Sequence, residues 1–447
     1  MTGISGIDSL LGPRTDLRPP DAMTPHDALY QAICTYPDED TPRLAFADLI
    51  EEDGDPARAA FIRTQVDLAR VPEYDALWAK CRQFDPGVIR GWAMAHTLPK
   101  PLPDGFSWQV HRFRRGFPWL VMALGTDAFV ERSDALFTTA PIRALCFDDR
   151  GRPDLTELAD CPNLSRIHRL EFISSRLGPD DLASLAASPH STGLTELVFE
   201  SDAITPDGLE VLAGSALFSR LEALELERNV IPPALLVDAL AAATQPGNLR
   251  RLSLPFCELY PPDAATLFAL PLMAGLDQLD LRDNPHLGVD GVQALVERGI
   301  LRGLRVLNLA STYPGVPGVK TLTSTSGLAG VRWLDLSANR LGPGAVRSLA
   351  ESERTRGLRV LKLENNPIGD KGAAALAESR HLAGLVELDL ADCGVGDAGA
   401  VALAEAPDLD GLIRLDIRDR SISRPLGDAA RHAIIDRFGP RVSFNQG

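Results

Sequence analysis

The chain has 447 residues, 45% hydrophobic and 24% charged, and its 45 basic and 61 acidic side chains give a net charge of −16. That balance belongs to a folded chain, and the length exceeds what one hydrophobic core holds, so several domains or a stacked array are expected. Excess negative charge repels phosphate backbones and anionic lipid surfaces, so neither nucleic acid nor a membrane is expected as a partner.

The first twenty residues lack a basic start followed by a long apolar run, so no secretory signal is read there. No apolar stretch reaches the roughly eighteen residues of a membrane span. The six cysteines (Cys34, Cys81, Cys146, Cys161, Cys257 and Cys393) form no C-x-x-C pair. Such usage suits a reducing cytoplasm, with thiols acting as small hydrophobes.

Residues 24–69 read as a helical module. Thr24 is a good N-cap and Pro25 a good first helical residue. Apolar groups at Leu29 and Ile33, then Leu44 to Ile50, then Phe61 to Val66, predict three short helices, with breaks at Tyr36–Pro42 and Asp53–Pro56. The run from Pro37 to Leu44, the segment F-A-D-L-I-E-E-D-G-D-P from Phe46 to Pro56, and F-I-R-T-Q from Phe61 to Gln65 resemble the bacterial repeat-companion domain. That resemblance implies a position ahead of leucine-rich repeats and little about activity. Asp48, Glu51, Glu52, Asp53 and Asp55 read as an exposed helix face and a turn, since no histidine or paired ligand motif accompanies them.

Residues 70–105, with Trp78, Trp92 and the prolines Pro99, Pro101 and Pro103, predict a helix pair and then a linker. Residues 106–141 read as a cap: the text from Phe106 resembles the strand that seals the end of a solenoid, with a helix near Asp127–Thr139 completing it. His111, Arg112, Arg114 and Arg115 form the densest basic run. They read first as solvated cap residues, and otherwise as a site for phosphate or an acidic peptide.

From residue 142 to 447 one phrase, L-x-x-L-x-L, organises the chain. It begins at Leu194, Leu221, Leu249, Leu276, Leu304, Val331, Leu358, Leu385 and Leu412, with a weaker copy at Ile167 and a degenerate one at Ile142. From Ile167 onward the spacing is always 27 or 28 residues. Each phrase is followed by an Asn-like position and then by apolar residues at helical spacing, as in NRLGPGAVRSLAE from Asn339. One strand and one helix per unit cannot bury an apolar face alone, but stacked neighbours share a continuous core.

The phrase resembles the leucine-rich-repeat superfamily, and at this period its ribonuclease-inhibitor-like branch, which also includes eukaryotic GTPase-activating horseshoes. The resemblance implies an α/β fold: a right-handed horseshoe with a parallel sheet inside and helices outside. In the family, the position eight residues into each repeat hydrogen-bonds backbone in the turn. Here it is occupied by Ser175, Asp202, Asn229, Cys257, Asn284, Thr312, Asn339, Asn366, Cys393 and Arg420, so Cys257 and Cys393 read as structural. Arg420 departs from the pattern, and the last unit reads as a C-terminal cap, its helix GDAARHAIIDRFG leading to an extended RVSFN.

No P-loop, H-E-x-x-H, G-x-S-x-G or zinc-finger spacing is present, and the eight histidines are dispersed. No catalytic residue, metal or cofactor is expected. The residue between the last two leucines points to the concave side. Along the array it is Glu171, Val198, Glu225, Ser253, Asp280, Asn308, Asp335, Lys362, Asp389 and Asp416. Together with the columns two residues to either side, the face holds eleven acids and six bases. On it Val306, Trp333 and Val360 fall on consecutive strands, bordered by Asp335 and Asp389, the composition of a binding hot spot. The expected site is therefore Trp333, Val306, Val360, Asp335, Asp389, Asp280, Glu225 and Asp416. The expected function is a cytoplasmic, non-enzymatic scaffold, monomeric when free, that binds a protein with a basic or mixed surface. The alternative is a regulator of another enzyme, such as a small GTPase or a nuclease.

Overall fold

The computed structural model describes residues 23–81, 101–108, 112–148, 153–244, 247–419 and 425–444. Trp92, Pro99, His111 and Arg420 lie outside these residues, as does the second helix expected within 70–105.

The repeated phrase forms one 14-stranded sheet. Its strands are β1 (Phe106–Trp108), β4 (Leu120–Ala123), β5 (Ala144–Asp148), β6 (Arg169–Ile173), β7 (Glu196–Glu200), β8 (Ala223–Glu227) and β9 (Arg251–Ser253), then β10 (Gln278–Asp280), β11 (Val306–Asn308), β12 (Trp333–Asp335), β13 (Val360–Lys362), β14 (Glu387–Asp389), β15 (Arg414–Asp416) and β16 (Val442–Ser443). A separate hairpin pairs β2 (Phe113–Arg114) with β3 (Phe117–Pro118). From β4 onward neighbours run parallel and in register: Leu279 faces Leu307, Leu334 and Leu361 in turn. β1 alone runs antiparallel, against β4.

Helices follow the strands and cover one face of the sheet. In Pro343–Glu351, Ala345, Val346, Leu349 and Ala350 are buried, and the proline sits in the first turn. They join the strand leucines in one core running the length of the array. Each fully buried leucine contributes roughly 1.5–3 kcal/mol. Early repeats end their phrase in phenylalanine, and Phe147, Phe172 and Phe199 stack at 5.6 and 5.7 Å.

Apart from the exposed Asp202, the Asn-like position is buried among the described residues and satisfies the turn. Asn339 Nδ2 donates to the carbonyls of Leu309 and Leu336 at 2.7 and 3.0 Å, while its Oδ1 accepts the Thr312 N–H at 2.8 Å. Cys257 and Cys393 stand in the same place, their thiols donating to Leu226 O at 3.2 Å and Leu363 O at 2.9 Å. Burial pushes both thiols up to about 12. The residue before this position is left-handed repeat after repeat: Ser174, Ser201, Arg228, Phe256, Asp283, Ser311, Ala338, Asn365 and Asp392 all have positive φ.

The amino-terminal module has helices α1 (Pro25–Thr35), α2 (Thr41–Glu52) and α3 (Pro56–Leu68), followed by the short α4 (Ala76–Cys81). Thr24 caps α1 by accepting the Asp27 N–H at 3.1 Å. Asp48, Glu51, Asp53 and Asp55 have structural partners: Arg63 binds both Asp48 and Glu51 at 2.6 Å, His26 meets Asp53 at 2.9 Å, and Asp55 caps α3 through the Arg58 N–H. Its core, built on Tyr30, Ile33, Phe46 and Ile62, includes Phe117 of the hairpin. The Tyr30 hydroxyl donates to Thr139 O at 2.9 Å, and Asp38 pairs with Arg143 at 2.7 Å. Gly116, at φ +83°, lies so close to α3 that a Cβ would stand 2.7 Å from Ile62 Cα. Module and cap thus share packing.

Where one sealing strand was expected from Phe106, the chain forms β1, the hairpin and β4; the cap helix spans Thr126–Thr139. At the far end the expected closing helix is Asp428–Phe438, and β16 adds to β15. Among the described residues no helix is long and apolar enough to cross a membrane.

Candidate protein-binding face

From β9 to β12 each three-residue strand buries its central leucine and half-exposes the two flanking side chains on the sheet face away from the helices, as in Trp333, Leu334 and Asp335. In β13, β14 and β15 one or both flanks are buried as well. That inner face has two different halves.

At its amino-terminal end the inner face is covered. Leu120, Ala144 and Cys146 form a small second core with Trp119, Met122 and Ile173 against them. Beyond it lies a network centred on Arg169, whose side chain is only 8% exposed. Its guanidinium meets Glu171 at 2.6 Å and both Glu196 and Glu225 at 2.9 Å. Arg251 reaches Glu196 at 2.7 Å, and Arg282 joins Glu227 and Asp280 at 3.0 and 2.9 Å. Burial opposes ionisation of Glu196, but Arg251 and Arg169 beside it hold its carboxyl below the usual range. Glu225 and Asp280, expected to greet a partner, are thus engaged within the chain.

The carboxyl-terminal half carries the aromatic feature. Val306, Trp333 and Val360 are register partners on β11, β12 and β13. Trp333 and Val306 are half-buried. Val360 is 1% exposed, between the larger Trp333 and Glu387, so the apolar surface is Trp333 with Val306 rather than a row of three. The Lys362 ammonium lies 4.8 Å from the Trp333 ring centroid. A cation over an indole holds the ring in place and presents a positive charge beside it.

Asp335, Asp389 and Asp416 do share a column with Lys362. Asp335 is half-buried, but Asp389 and Asp416 are buried. Asp416 receives Arg418 Nε at 2.9 Å, and the neighbouring Glu387 receives Arg414 at 2.7 Å. Burial pushes Asp389 up to about 6, opposed by the Ala391 N–H and reinforced by the adjacent Asp416. The face can therefore offer an indole, an aliphatic neighbour, a lysine and partly shielded carboxylates. Five cysteines (Cys34, Cys146, Cys161, Cys257 and Cys393) are buried and outside any disulfide, and no cluster of three metal-binding side chains is found among the described residues.

The Arg169 network went unread in the sequence, although Arg169, Glu196 and Arg251 share one column of the repeat and their alternating sign was a usable signal. The placement of the module was not legible. Trp78 and the end of α3 stand across a cleft from Arg169, Glu196 and Gln278.

No curated protein is matched by the chain. Among solved structures it is similar to the complex of Rad7 and Elc1 in yeast, with 16% identity over 71% of this chain and 86% of that chain, at a TM-score of 0.45. It is also similar to an internalin (inlF) from Listeria monocytogenes, with 15% identity over 59% of this chain and 72% of that one, at a TM-score of 0.32. Residues 358–377 and 384–404 match the family model described as Leucine Rich repeat. Those residues contain β13 with the whole helix Gly369–Ala377, and β14 with most of the helix Asp397–Glu405, units that repeat along the whole parallel sheet: the array has the fold of a leucine-rich-repeat solenoid.

Proposed function

We propose that the chain is a non-enzymatic protein-binding scaffold whose partner, presenting a basic or mixed surface, docks on the inner face around Trp333, Val306 and Asp335. The observation that carries this reading is the half-buried Trp333, pinned by Lys362 on an otherwise polar face. A large, pre-oriented aromatic loses little conformational freedom on binding, and a polar surround helps exclude water from it. Asp389 and Asp416 contribute to the field of the face rather than to contact, and Asp280 and Glu225 only through the salt-bridge network. The reading extends to a ribonuclease-inhibitor-like array with a repeat-companion module, supported by the 27- or 28-residue spacing and the Phe46–Pro56 text. A cytoplasmic place is supported by the five buried, unbridged cysteines.

Affinity capture with the whole chain, followed by calorimetric titration of the recovered partner, tests the site. Trp333→Ala is expected to weaken binding by about 2 kcal/mol or more while leaving the melting curve unchanged. Equal affinity for both forms rejects the assignment.

A further inference from the structure

Beyond the Trp333 face, the molecule has a second recess. The end of α3, the turn at Val71–Glu73 and Trp78 form one wall of a cleft of about 560 Å³, and the inner face of β6 to β10 forms its floor. Arg112, Arg114 and Trp119 close its amino-terminal end, where the second small core fills the inner face. The recess therefore ends on arginines.

Its charge runs against that of the chain. Five arginines and three glutamates line it, in a protein of net charge −16. On the floor, Arg169 and Arg251 are already matched to Glu196 and Glu225. Arg115 is matched to Asp40 at 3.0 Å. Arg112 and Arg114 differ: both are exposed, and neither has an ion-pair partner among the described residues. The Arg114 guanidinium lies 5.5 Å from the Trp119 ring centroid, which aims it while leaving its donors without a hydrogen-bond acceptor among the described residues.

We infer that this cleft binds an acidic, extended peptide segment, with Arg112 and Arg114 holding its carboxylates and Trp78 and Trp119 packing against its apolar atoms. The floor crosses five strands, Arg169 to Gln278. At about 4.8 Å per strand that is roughly 19 Å, the length of about six extended residues. Guanidinium groups favour carboxylates because their paired N–H donors match the two oxygens. The site adjoins the Trp333 face without including it: the floor ends at Gln278, one strand from Val306 and two from Trp333.

The test uses the full chain and a fluorescein-labelled octapeptide of alternating Glu and Asp with one central Tyr, read by fluorescence anisotropy. Saturable binding is expected, weakened about tenfold by R112Q/R114Q and further by R112E/R114E, and unchanged by Trp333→Ala. Unaltered melting curves in the arginine variants, whose side chains are exposed, confirm that only binding has changed. Absence of saturation, or equal affinity in R112E/R114E, overturns the inference. So does a single-stranded oligonucleotide of equal length that binds more tightly through the same arginines.

Discussion

Asp335 closes its strand onto Ser337: the Oδ1 of the first accepts the backbone N–H of the second at 2.9 Å. The same two-residue step recurs at Asp280 with Arg282, Asn308 with Ala310, Asp389 with Ala391 and Asp416 with Arg418, at 3.0 to 3.1 Å. These strands have three residues, whereas β6, β7 and β8, with Glu171, Val198 and Glu225 in that place, have five. A short Asx side chain bonds the backbone two residues on and ends the ladder, which neither a longer Glu nor an apolar Val does so readily. β9 and β13 are short without it, carrying Ser253 and Lys362, so neighbouring strands also set the length. The column that reads as an acidic greeting to a partner is thus first a set of strand terminators, and at Asp280 and Asp416 the second oxygen is held by arginine as well.

Replacing Asp335 with alanine is expected to cost about 1 kcal/mol by removing that acceptor, and Asn should retain most of it. Urea denaturation of the three proteins checks this. Equal loss in both variants would mean that the charge, not the turn, is what matters there.

Asp389 should make stability depend on pH in an unusual direction. Burial raises its carboxyl to about 6, above the usual value of 3.8. The folded chain therefore binds this proton more tightly than the unfolded one, and ionisation costs stability. That cost is complete above pH 6 and gone below the unfolded value, near pH 4. Asp389→Asn keeps an acceptor for the Ala391 N–H and is expected to stabilise the chain by about 1–3 kcal/mol at pH 7. At pH 4 the difference should vanish, as chemical denaturation at both values can show.

Arg169 binds three carboxylates in a nearly closed space. Arg169→Met is expected to destabilise by about 3 kcal/mol or more, because it strands buried charge rather than merely removing a contact. Adding Glu171→Leu should restore part of the loss, while Glu196 keeps Arg251. Thermal melts of the single and double variants decide it, and no recovery in the double variant would count against the network.

Gly116→Ala places a methyl group into α3 at a left-handed backbone position. A penalty of about 1–3 kcal/mol is expected, concentrated at the junction of module and cap. Faster amide exchange along α3, with the distant repeats unchanged, is the expected signature.

The array was legible because leucine spacing reports which face a residue takes, and the Asn and Cys positions followed from the turn that each repeat must close. Depth was not legible. Val360 and Trp333 share a column and a face, yet one is covered and the other is not, because depth depends on the size of neighbours 27 residues away. The left-handed column was hidden for another reason: Ser, Arg, Phe, Asp, Ala and Asn all occupy it, since the turn imposes the conformation whatever the side chain. Nor does the spacing of leucines say that α3 and Trp78 stand over the inner face, since that depends on how the chain folds back through the hairpin at Gly116.

The reversed direction of β1 carries a consequence for how such molecules meet. A parallel stack offers at each edge a row of peptide groups ready to accept another strand of the same sense. Against β4 that row is already occupied by a strand running the other way. A second copy arriving head-to-tail with its β16 therefore meets β1 instead of β4, and can extend the sheet there only as an antiparallel pair.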